Sequence, residues 1–217
     1  MSDDPDNHEA PYNLLDAGIT LASPQTVVMD PREAHPPGIV TELAANAVRF
    51  MLATCKIEPD FSRESLAFAD FYVKEARDAV KARPETLAVT VNALGAYLGE
   101  IARRIHKCWW RIDHKDYGSW RLEFEQVWLA FYPMQVAHVS LTLEDDSAGF
   151  SGFEMKAPDR DALLARLDNL PGVSEEAYFA PSTKIEILDI AVDALLAQRA
   201  QQPHEARPYV PVDYEAH

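Results

Sequence analysis

Residues 86–99, TLAVTVNALGAYLG, decide how the rest of the chain is read. The stretch carries no charge, in a sequence that is 25% charged. Leu87, Val91, Leu94, Leu98, Ile101 and Ile105 recur at steps of three and four, which is a helical period. Ala88, Gly95, Gly99 and Ala102 form a second stripe of small residues beside the first. A helix apolar around most of its circumference is a buried one. Each glycine inside it costs about 1 kcal/mol against alanine, so Gly95 and Gly99 imply the close approach of another backbone, with helix 62–83 the expected neighbour. The sequence predicts an α+β fold: helices around this central apolar helix, packed on a small antiparallel sheet.

Upstream, Pro36-Pro37-Gly38 interrupts the chain. Residues 39–55, IVTELAANAVRFMLATC, then read as a helix with Val40, Leu43, Ala47, Phe50 and Met51 on one face. Ser62 suits an N-cap, with Glu64 in the first turn. Leu66, Ala69, Val73, Ala76 and Val80 give the next helix its core stripe, ending near Arg83. Pro84 opens the central helix.

Downstream the period changes to two. In CWWRI, Cys108, Trp110 and Ile112 face one way, and Trp109 and Arg111 the other. Trp120, Leu122 and Phe124 alternate with Arg121, Glu123 and Glu125, as in a strand buried on one side. The loop DHKDYGS between them suits a hairpin. VWLAFY reads as a third strand, and GFSGFEM as a further short one. After Pro133, residues 134–146 read as a helix. APDRDALLARLDNLPG is a helix with Leu163, Leu164, Leu167 and Leu170 on one face, and GVSEEAYFAPS a connection. Thr183-Lys184-Ile185-Glu186 has the form of a capping box for a last helix reaching about Ala200. The expected organisation is a flexible acidic tail over 1–36, in which TVVMD suits an edge strand, a single domain over 37–200, and a flexible tail over 201–217.

The net charge is −15, with a pI near 4.8. Such a surface repels nucleic acid and anionic membranes, and favours a basic protein as partner. Hydrophobic residues make up 47% of the chain, enough for a real core. Cys55 and Cys108 are far apart, which fits a reduced cytoplasm rather than a disulfide framework. The N-terminus has no basic n-region followed by an apolar run, so no signal peptide is expected. No segment is expected to reach the roughly 20 apolar residues of a membrane span.

No dinucleotide-binding glycine motif, P-loop, HExxH or GxSxG occurs, and no cofactor is implied. His106, Cys108 and His114 are the densest set of reactive side chains. They suit a metal, but metal sites want three or four ligands at fixed geometry, and a buried thiol is ordinarily inert packing. Glu100 precedes Arg103 and Arg104, which reads either as helix-surface ion pairing or as a partly buried carboxylate lining a cleft beside Gly95 and Gly99, with Arg103 or Arg104 fixing it. Trp109, Arg111 and Arg121 form a binding patch if the sheet is open on their side. The alternative is a second layer covering that face.

DFSRESL at 60–66 followed by LGAYLGEIARR at 94–104 resembles a pattern shared by a group of uncharacterised bacterial proteins, domains of unknown function. The resemblance spans roughly residues 40–145. It implies an intracellular α+β domain, and it carries no catalytic residue over. It draws attention to Gly95, Gly99 and Glu100. The expected function is a non-catalytic protein-interaction module: an adaptor, or an immunity-like or regulatory partner. The alternative is a hydrolase or small-ligand binder with a site near Glu100, Arg104 and His106.

Overall fold

A computed structural model describes residues 26–31, 33–145, 151–169, 171–201 and 207–215. The fold is α+β. The helices are α1 (Gly38–Cys55), α2 (Leu66–Ala82), α3 (Leu87–Ile105), α4 (Pro133–Thr142), α5 (Ala157–Leu167), α6 (Glu175–Tyr178) and α7 (Pro181–Ala200). The strands are β1 (Val27–Val28), β2 (Cys108–Ile112), β3 (Arg121–Phe124), β4 (Ala130–Phe131) and β5 (Phe153–Glu154), in one antiparallel sheet of that order.

The helix α3 is central. Every residue from Ala93 to Ala102 is buried, and α1 and α4 flank it along its length. Its glycine stripe receives a different partner from the one expected. A Cβ on Gly95 would stand 2.8 Å from the Met134 Cα and 2.9 Å from the Met134 nitrogen. A Cβ on Gly99 would overlap the Trp110 indole and sit 3.2 Å from the Pro133 ring. The first turn of α4 and a strand tryptophan fill the notch, not α2. Pro133 ends the sheet and turns the chain into a helix at that level.

The helix α1 also corrects an expectation. By length and composition alone it is apolar enough to cross a membrane. Here one stripe of it, Val40, Ala44, Ala47 and Met51, is buried in the core.

The sheet register places Trp110 opposite Leu122 and Trp109 opposite Glu123. Trp110 and Trp120 pack edge to face at 6.5 Å on the side facing α3. The other face is closed by the segment Pro211–Tyr214. Tyr214 stacks on Trp128 at 5.6 Å and meets Trp109 edge-on at 6.0 Å. On the edge, Val27–Val28 pairs with Ile112 and Arg111, and Met29 is buried. Packed structure therefore extends past both boundaries drawn from composition, into the expected tails. Residues 1–25, where most of the expected N-terminal tail falls, lie outside the described residues.

Smaller differences have local causes. The third strand shortens to Ala130–Phe131 because residues 125–128 bend. The Ser62 hydroxyl accepts from the Ser65 amide at 3.3 Å, one turn before α2 begins. The capping box does not form. Helix α7 starts at Pro181, and the Ser182 amide and hydroxyl both bond to the Asp70 carboxylate of α2, at 2.9 and 2.5 Å. Lys184 thus falls inside the helix and is fully buried. Its Nζ finds no hydrogen-bond acceptor among the described residues, and sits 3.8 Å from the Tyr178 ring centroid.

Candidate functional site

The residues singled out from sequence divide into three places. Glu100, on α3, is buried at 4% exposure. Its carboxylate accepts the Trp110 indole N–H at 2.8 Å, and two N–H groups of Arg103, Nε and Nη2, at 2.9 Å each. Arg103, one of the two arginines the sequence offered, holds it bidentately. Arg104 turns away, with its guanidinium 4.3 Å over the Phe61 ring and one N–H on the Asp60 carbonyl. Glu100 and Arg104 nonetheless line one groove, together with Arg103. His106 does not join them. Its Nε2 pairs with Asp189 of α7 at 2.8 Å, and Arg63 takes the other Asp189 oxygen. Burial pushes the Asp189 carboxyl up, but these two partners outweigh it and hold it below the usual carboxylate range.

Trp109, Arg111 and Arg121 are not a surface patch. Trp109 is 1% exposed. Its indole N–H donates to Glu123 at 2.9 Å, and Glu123, itself fully buried, also accepts from both Arg111 and Arg121. Arg111 reaches the Pro211 carbonyl at 2.9 Å, and Arg121 the Tyr214 carbonyl at 3.3 Å. The alternation in sequence placed these residues correctly on one face. That the face is covered, by the C-terminal segment rather than by helices, is a tertiary fact. The trio works as an internal charge cluster tying that segment to the sheet.

His106, Cys108 and His114 form no ligand set. No group of three or more His, Cys, Asp or Glu side chains with metal-site geometry occurs among the described residues. Burial pushes the Cys108 thiol far up, the state of an unreactive cysteine.

The groove the sequence did not disclose lies between α5, α6 and α7, with a volume of about 910 Å³. Its apolar lining includes Leu164, Leu167, Val173, Tyr178, Ile187 and Ile190, together with Phe153. Leu164 remains 37% and Val173 59% exposed. Among its described lining residues the charged ones are Asp168, Glu175 and Glu186, all carboxylates. Two signals were present in sequence. The four leucines of 163–170 outnumber what one core contact needs, and only Leu163 of α5 is buried. Ile187, itself buried, and Ile190 stand outside the stripe of Ile185, Leu188, Val192 and Leu195 and give α7 apolar residues toward the groove.

No protein-family model, curated protein or solved structure matches this chain. The reading of the site therefore rests on its geometry.

Proposed function

We propose that the protein is a non-catalytic interaction module, and that the α5–α6–α7 groove docks a basic amphipathic segment of a partner protein. One observation carries this: an apolar groove whose described charged lining is entirely negative. An amphipathic helix lays its apolar face into such a groove, and rim carboxylates select a cationic partner and speed its approach. The net charge of −15 acts in the same sense. The covered Trp109–Arg111–Arg121 face no longer supports the reading. We place the protein in a bacterial cytoplasm, in line with the resemblance to bacterial domains and with Cys55 and Cys108, which are both free thiols.

The test uses fluorescence anisotropy with two helical peptides of identical apolar face, one with lysines and one with glutamates on the polar face. The lysine peptide is expected to bind and the glutamate peptide not. Leu164→Asp, at an exposed wall position, is expected to abolish binding, and the double reversal Glu175→Lys, Glu186→Lys to invert the preference. Equal binding of both peptides, or binding of neither, removes the proposal.

A further inference from the structure

A second groove lies between the C-terminal turn of α3, α1 and the segment 34–36, with a volume of about 1000 Å³. Its character is reversed. Arg49, Arg103 and Arg104 all line it, in a chain with 20 basic against 35 acidic residues. Two carboxylates, Glu58 and Glu100, face them. The charge of Glu100 is consumed internally by Arg103 and the Trp110 indole. Glu58 in the lining and the Asp60 carboxylate, which feels the Arg104 charge, oppose the remaining Arg49 and Arg104, and Arg49 gives one N–H to Asn46 at 2.6 Å. The exposed His35 imidazole also lines the groove.

Arg104 is held in place by its neighbours. Its guanidinium is stacked on Phe61, and its hydrogen bond to the Asp60 carbonyl uses one N–H. A guanidinium has five N–H donors in a rigid fork that matches an oxyanion. Stacking and tethering lower the entropy lost on engaging one. Between the cations the groove floor is apolar, with Ala45, Val48 and Phe61. We infer that this groove binds a small organic oxyanion, a carboxylate or phosphate on an apolar body. The head engages Arg104 and Arg49, and the body lies on Val48 and Phe61.

The test is isothermal titration of the full chain with 4-phenylbutyrate, phenyl phosphate and 4-phenylbutan-1-ol. One or both anions are expected to bind and the alcohol not, and the two anions separate a carboxylate from a phosphate head. Arg104→Gln is expected to weaken binding about tenfold. Arg49→Gln, at an exposed position, repeats the test without risk to the fold. Leu164→Asp, at an exposed position in the other groove, is expected to leave anion affinity unchanged, so failure here and failure of the docking proposal are told apart. Binding of the alcohol as tight as the acids, wild-type affinity in both arginine variants, or no binding of either anion overturns the inference.

Discussion

Gly99 lies directly under the indole of Trp110, so close that a Cβ at this position would occupy the ring. The same indole donates to Glu100, one residue further along α3. Helix and sheet are thus locked at a point where the absent side chain and the buried carboxylate both serve one tryptophan. Gly99→Ala gains up to about 1 kcal/mol in helix propensity but displaces a fully buried, rigid ring. A net loss of about 1–3 kcal/mol is expected. Thermal unfolding reads it as a fall of about 2–4 °C for each kcal/mol. An unchanged or raised melting temperature would show that the indole moves freely.

The buried Glu123 neutralises Arg111 and Arg121 and accepts from Trp109. Glu123→Gln leaves two guanidinium groups facing a neutral amide. Removing one partner of a buried ion pair costs about 3–5 kcal/mol. The lower end is expected because the arginine side chains keep 13% and 22% exposure. Urea unfolding should show a lower midpoint with an unchanged slope.

The phenol of Tyr214 accepts from the Phe124 and Leu129 amides, at 3.1 and 3.2 Å, and donates to the Phe124 carbonyl at 2.8 Å. Tyr214→Phe is expected to cost about 1–3 kcal/mol through buried groups left unpaired. Removing residues 207–217 is expected to cost more and to uncover Trp109, moving tryptophan emission to the red. Emission unchanged by the deletion would contradict the covered face.

Burial pulls the Lys184 ammonium down to about 8, against the opposing attraction of the Asp145 carboxylate. A base whose folded pKa is depressed binds its proton more weakly in the native state than in the unfolded chain. Between pH 8 and about 10.5 the unfolded chain therefore holds more protons, and raising the pH stabilises the fold. Below pH 8 the cost of the buried charge is present in full. The tyrosines held above their ordinary range, Tyr72 and Tyr97 among them, act oppositely above pH 10, so the usable window is pH 8–10. Wild-type stability measured relative to Lys184→Met is expected to rise across that window. A flat difference would mean that Lys184 does not titrate there.

The groove between α5 and α7 was legible only as a surplus. Apolar side chains at Leu164, Leu167, Ile187 and Ile190 look in sequence like core, and only the packed structure separates those that the core takes from those it leaves at a groove. The Glu100 cluster was legible as a carboxylate near arginines. Which arginine held it was not, because positions three and four along a helix lie equally near, and the choice fell to Phe61 and Asp60, residues from another segment.

What the sequence determined by itself was periodic: a helix through Leu87–Ile105, strands at Cys108–Ile112 and Arg121–Phe124, and the side of the sheet on which Trp109, Trp110 and Trp120 stand. These follow from backbone geometry, which repeats every few residues. What only the tertiary structure decided was who meets whom: Met134 over Gly95, Tyr214 over Trp109, Asp70 on Ser182, and Lys184 sealed beside Tyr178. Most of those pairs are far apart in the chain, and their contact depends on the path between them, which no local period records.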